Sequence, residues 1–308
     1  MKSHCSSSRP RAFVIASSLV AMLVAFTCLG LSAGAVMAQQ KASVPEKEYE
    51  DFDRNNFDRS TTIDNPWFPM KPGMRWALKG FTTEGGKRVP HRLVIIVTDL
   101  TKVIDGVRSV VLWMEDYRAG QLMEKELAFF AQDKEGNVWA MGEHPEDYEE
   151  GKFVKADTWI HGINESRAGI AMPAAPKLGM PSYSQGWAPS VNFTDRAVIE
   201  KIGQKTCVPL RCYENALVIA EGSKAEGADA QQLKHYARGV GKVRVDWRGK
   251  GETLQEVLEL TEFSQLGPDA LAKARAAALK LEKNAYQVSK EVYGRTSPAE
   301  HMPSAKGR

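Results

Sequence analysis

The sequence is short of almost everything that would announce a chemistry. Its 308 residues contain four cysteines and six histidines. There is no G-x-S-x-G, no H-E-x-x-H and no glycine-rich phosphate loop, so the common hydrolase, zinc-protease and nucleotide motifs are excluded. Charge of one sign is lacking too. Lys and Arg number 41 against 38 Asp and Glu, and three of the basic residues (Lys2, Arg9, Arg11) fall in the first 38 positions, where no acidic residue occurs. Without them the two signs balance, which removes the electrostatic case for nucleic acid. After Val36 there is no hydrophobic run long enough to span a bilayer.

The first 38 residues combine that basic start with an apolar stretch, Phe13 to Val36, and with Val36-Met37-Ala38, which suits a peptidase site. This predicts a secretory signal peptide and an exported protein, periplasmic or extracellular. An uncleaved anchor is the alternative, because the run is long enough to cross a membrane. Gly30, Gly34 and the Ala-rich end favour cleavage. A lipoprotein reading fails at Cys28, where Ala25-Phe26-Thr27 precede the cysteine and the apolar run continues beyond it.

Cleavage leaves Cys207 and Cys212, flanking Val208-Pro209-Leu210-Arg211. In an oxidising compartment they predict a disulfide across a hairpin end, with free thiols as the alternative. The spacing is not that of a redox CxxC, and no His or Cys stands near enough in sequence to complete a metal site.

Residues 39–60 form a polar leader, either a tether or an arm on the domain surface. Asp51, Asp53 and Asn55 open like a calcium loop, but Asn56 stands where glycine belongs and Thr62 where glutamate belongs. From residue 61 to 266 the pattern is β. Short apolar and β-branched runs alternate with turn residues near positions 85, 106, 120 and 136, and Asp105-Gly106 is a strong hairpin signal. The stretch Val107 to Glu143 reads as three strands and two turns, followed by an acidic loop, 143–151. Residues 168–181, with three prolines and two glycines, read as an irregular connection. Long strands in simple succession predict a mainly β fold, an antiparallel meander forming a curved sheet, half-barrel or barrel.

Beyond Pro268 the period changes. Leu271, Ala274, Ala278, Leu281, Ala285, Val288 and Val292 form one face of an amphipathic helix spanning 267–294. It suits packing on the sheet; a docking helix for a protein partner and a membrane-lying helix are the alternatives. Residues 295–308 read as a disordered tail.

Three patches carry a resemblance: residues 63–73 (IDNPWFPMKPG), 131–143 (AQDKEGNVWAMGE) and 236–243 (YARGVGKV). They resemble a family of uncharacterised secreted bacterial proteins in which NPYFPLxPG, AQDxxGNVWYFGE and YAxGVGxV recur in that order. The likeness spans about residues 60 to 262, leaving out the helix and the cysteine pair. The last patch is also similar to half-barrel domains related to bacterial lipoprotein carriers, which enclose apolar ligands. The resemblance implies a secreted β-rich fold and brings no catalytic residues with it.

The best polar cluster is Glu115 and Asp116 with Glu143, His144 and Asp147. Glu115 and Glu143 end strands that run the same way, so they are expected on one rim, either as solvated strand ends beside a negatively charged loop or as a site that binds a ligand or cation or serves acid–base chemistry. The other histidines, His91, His161, His235 and His301, are scattered and read as strand or surface residues. Seven tryptophans fall about one to a strand; Trp113, Trp139 and Trp159 are candidates to line a cavity. No cofactor is implied. These features rank a binding module for a small apolar or lipid-like ligand first. A periplasmic or surface interaction protein comes second, and a hydrolase or cation binder using the acidic rim third.

Overall fold

The structure, a computed structural model, describes residues 47–223, 229–252 and 255–302. The signal peptide, residues 39–46 of the leader and the end of the tail, 303–308, lie outside them.

Five long strands open the domain: β1 (Met74–Glu84), β2 (Lys87–Ile104), β3 (Val107–Arg118), β4 (Gln121–Gln132) and β5 (Val138–Glu149). Five short ones follow: β6 (Lys152–Lys155), β7 (Trp159–Ile160), β8 (Arg167–Met172), β9 (Tyr183–Ser184) and β10 (Gly186–Trp187). A second long set comprises β11 (Arg196–Val208), β12 (Arg211–Gly222), β13 (Gln231–Ala237), β14 (Gly241–Arg248) and β15 (Glu256–Gln265). The helix α1 (Pro268–Val288) and a two-residue strand, β16 (Glu300–His301), end the described chain.

All strands belong to one antiparallel sheet, ordered β10-β8-β5-β4-β3-β2-β1-β15-β14-β13-β12-β11-β9, with β6 and β7 beside β5 and β16 beside β2. The fold is therefore mainly β with one C-terminal helix, and the sheet is open. Its two ends, β9 and β10, are consecutive in the chain, divided by Gln185, and do not pair with each other. The tight hairpins follow from turn chemistry. Asp105 and Gly106, Ala119 and Gly120, and Glu150 and Gly151 all have positive φ, as two-residue turns matched to strand twist require.

Strands β2 to β5 bury both faces along part of their length, whereas β14 and β15 alternate buried with part-exposed residues. On the concave face Leu78, Val97, Leu112, Leu217, Val243 and Leu260 belong to one cluster, which Trp67 and Met70 of the entry segment join. On the convex face Val111, Leu127, Phe129 and Met141 pack against Ala278, Leu281 and Ala285 of α1 and against Tyr293.

Several boundaries differ from the sequence reading. The acidic stretch 143–151 is not a loop: β5 continues through it to Glu149. Its Pro145 is tolerated because it faces residues 156–158, where no ladder forms between β6 and β7. β2 runs to Ile104, past the polar Thr98-Asp99, through an irregularity at which Thr98 Oγ1 donates to Val111 O at 2.7 Å. Within 168–181, Arg167–Met172 is a strand paired with β5, since the prolines begin only at Pro173. α1 stops at Val288 rather than 294, and residues 293–295 form a 3₁₀ turn. Residues 300–301 then return to the edge of β2. Leader residues 47–60 lie along the domain: Phe52 and Phe57 pack on Trp139, and Glu50 accepts from Ser184 N at 2.8 Å. The disulfide Cys207–Cys212 joins directly opposed residues of the β11–β12 hairpin.

Candidate functional site

Side chains alternate along a strand, so the rim cluster expected from sequence divides between two faces. Asp116, Glu143 and Asp147 face the concave side; Glu115 and His144 face the convex side, toward α1. The ladders also set their depth. Glu115 lies opposite Lys125, which lies opposite Glu146, whereas Glu143 lies level with Leu112 through Ala128. Glu143 is thus three residues deeper than Glu115.

The convex half is closed at His144, while Glu115 lines a cleft of about 610 Å³ between α1 and the sheet. His144 is fully buried, with Nδ1 2.6 Å from Thr158 Oγ1 and Nε2 3.2 Å from Glu146 Oε1. Carboxylate, imidazole and hydroxyl stand in the order of a catalytic triad. Thr158 is itself buried, and Glu146 is bound further by Asn284 of α1 at 2.7 Å and by the Tyr148 hydroxyl at 2.5 Å. The string serves to dock α1 onto the sheet.

The concave half is open. A chamber of about 280 Å³ is lined by Phe68, Met70, Trp76, Phe130, Trp159 and Phe193, among others. A second, more polar cleft of about 430 Å³ runs to the rim past Asp116, Arg118, Asp147 and Lys155. The two share Met114, Glu126, Lys234 and Lys242, which form a neck between them. Residues from β1 through β5 and from β12 through β14 line the same chamber, which shows how far the sheet curls.

Two β-bulges aim charge into this neck. Along β5, strict alternation would put Glu143 on the side of Trp139 and Met141, which is convex. The ladder with β4 slips at Met141: Phe130 pairs with Ala140 and Phe129 with Gly142. Glu143 then faces inward opposite Ala128. Gly142 permits this with φ +148°; a Cβ there would sit 2.6 Å from Trp159 O. Along β14 the slip falls between His235 and Tyr236, leaving Val243 unpaired, so Lys242 as well as Val243 and Val245 faces the interior. Bulges commonly re-aim side chains at sites of this kind.

The ionisable groups at the neck are strongly perturbed. Burial raises the Glu143 carboxyl to about 7; the Asp195 charge adds to this, while the indole N–H of Trp159, 2.8 Å away, opposes it. Glu124 rises to about 7 through burial and the charges of Asp147 and Asp116. Glu126, hydrogen-bonded to both Glu124 and Glu143, is raised well above the carboxylate range by burial and those two neighbours. Lys242 falls to about 8, through burial and the charge of Lys234. Lys234 is committed to an ion pair with Glu221. Nearer the rim His91 lies between Asp116 at 2.6 Å and Glu256 at 3.2 Å. Burial works against its charge, but the two hydrogen bonds win and its pKa reaches about 9. No group of three or more His, Cys, Asp or Glu with metal-holding geometry occurs among the described residues.

Of the three candidate cavity aromatics, Trp159 lines the chamber. Trp113 lies beneath α1, and Trp139 is on the convex face with its indole donating to Asp133 at 2.8 Å. Sequence reading missed Glu124, Glu126, Lys234, Lys242 and Trp76. For Glu126 a signal existed. In LMEKELAFFAQ both alternating sets turn apolar, Leu127-Phe129-Ala131 and Ala128-Phe130, so a carboxyl in phase with the second set lands on a buried face.

Comparison with known proteins adds little to this geometry. No protein-family model matches the chain, and no curated protein matches it. Among solved structures, a candidate exported protein of Bacteroides fragilis with a YmcC-like fold is 14% identical, with a TM-score of 0.38, covering 65% of this chain and 99% of its own. A candidate lipoprotein of Parabacteroides distasonis is 15% identical, with a TM-score of 0.30, covering 67% and 100%. Similarity at this level assigns this chain neither a family nor a function.

Proposed function

We propose that this is an exported, non-enzymatic binding protein that holds a small amphipathic, lipid-like ligand in the concave chamber. The observation that carries the reading is the unfilled aromatic volume of about 280 Å³ on the concave side of a sheet whose convex side, along β2 to β5, is packed by α1 and Tyr293. Ligand pockets are typically concave and apolar with a few convergent polar groups, and here those groups gather at one end, at the neck. An apolar body against Phe68, Trp76 and Phe130 and a polar end at Glu126, Glu143 and Lys242 would match that layout. Export rests on the signal-like first 38 residues.

The test is uptake of the neutral dye N-phenyl-1-naphthylamine by delipidated protein, with native mass spectrometry of material purified from its own compartment. Dye should bind with a stoichiometry of one. Ala140→Phe, which projects a ring into the chamber, should abolish uptake while the far-ultraviolet circular dichroism is unchanged. Absence of uptake, or equal uptake by the variant, would overturn the proposal.

A further inference from the structure

The neck has more carboxyls than cations to answer them. Glu221 is taken by Lys234, and Asp116 and Glu256 are taken by His91. That leaves Glu124, Glu126 and Glu143. Among the described residues their one hydrogen-bond donor other than each other is the Trp159 indole, on Glu143. Glu126 is only 9% exposed, lines both clefts and receives no N–H or O–H donor apart from its neighbouring carboxyls. Lys242, across the neck on β14, is in no ion pair within 4 Å among the described residues. Asp195, the other acid near Glu143, adds negative charge to the site.

We infer that the neck is a seat for a protonated primary amine at the polar end of the ligand, with Glu126 and Glu143 as its principal acceptors. This rests on the chamber being a ligand site. A primary ammonium brings three N–H donors and no acceptor, which is what a set of carboxyls short of donors lacks. A carboxylate or phosphate head would instead add negative charge beside three carboxyls with one uncommitted lysine to meet it. In the empty protein, protons stand in for the ammonium. Binding the amine releases one of them, so affinity must follow pH.

The experiment is calorimetric titration of the delipidated full chain with octylamine, 1-octanol and octanoate at pH 6, 7 and 8. At pH 8 octylamine should bind at least about tenfold more tightly than octanol, and octanoate no more tightly than octanol. Between pH 6 and pH 8 the octylamine affinity should rise about tenfold, the increment for one proton released near pH 7. Octanol affinity should stay flat. Glu126→Gln and Glu143→Gln keep the side-chain shape, and each should remove most of the amine's advantage without changing octanol binding. Equal affinities of amine and alcohol at pH 8, or tighter binding of octanoate, would overturn the amine seat and leave the chamber standing. Failure of all three compounds to bind would overturn the chamber itself.

Discussion

Lys102 and Lys242 project from opposite faces of the same sheet, and their surroundings could hardly differ more. Lys102 is fully buried beneath α1, and its ammonium meets Glu282 at 2.8 Å, the Tyr286 hydroxyl at 3.2 Å and the Ser297 carbonyl at 2.6 Å. Glu282 in turn receives the Tyr293 hydroxyl at 3.1 Å and Ala299 N at 3.0 Å. Lys242 faces a cleft, is only half-buried, and looks toward carboxyls that keep their protons. Buried charge that is fully answered, as around Lys102, holds elements together. Buried charge left unanswered beside empty volume is poised for something that is not part of the chain.

Removing a partner on each face should affect the two lysines' surroundings very differently. Glu282→Ala strands a fully buried ammonium, and the expected loss is about 3–5 kcal/mol in urea unfolding. Gly142→Ala should cost less, about 1–3 kcal/mol, from a strained φ and a Cβ 2.6 Å from Trp159 O. It should also abolish amine selectivity, because relieving the clash straightens the bulge and turns Glu143 away from the neck. Smaller still is Glu126→Gln, expected within about 1 kcal/mol of the parent, since it replaces a carboxyl that is already neutral and has no donor to lose. A Glu126→Gln loss as large as that of Glu282→Ala would erase the distinction between the faces.

The dependence of stability on pH refines the contrast further. Glu124 and Glu143 hold protons to about pH 7 when folded, against 4.5 for a free glutamate carboxyl. Between those values the folded state binds more protons than the unfolded one, so stability falls as pH rises from 4.5 to 7 and levels off above. His91 stays charged to about 9 when folded, against 6.5. Its contribution is complete below 6.5 and is lost as pH rises through 9. Urea midpoints at pH 5, 7 and 9 should therefore decline in order. Glu143→Gln should flatten the lower limb, and His91→Gln the upper one.

Much of the fold could be read from the chain because its signals are local. Asp105-Gly106 and Ala119-Gly120 set hairpins through their own backbone preferences, and Cys207 and Cys212 face each other because a short turn lies between them. The site was less legible, since its residues come together through events that sequence does not mark. A strand read with unbroken alternation sends Glu143 to the convex face and Lys242 beside Arg244. Only a bulge opposite Phe129 and another opposite Tyr236 reverse this. His144 and Glu146 looked like a solvated loop because their cover, Asn284 and Tyr293, lies about 140 residues later in the chain.

The five residues from Tyr183 to Trp187 carry a consequence for access. The first two pair with β11, the last two with β8, and Gln185 spans the gap, its amide bound to Glu221 at 3.0 Å and its side chain on the chamber wall. The sheet is thus buckled by a strap rather than welded by a ladder. Four residue pairs hold the strap, where the neighbouring hairpins have many more. Amide exchange there should outpace that of β3 and β4, and a cross-link pinning the strap to β11 should slow ligand entry without altering equilibrium affinity.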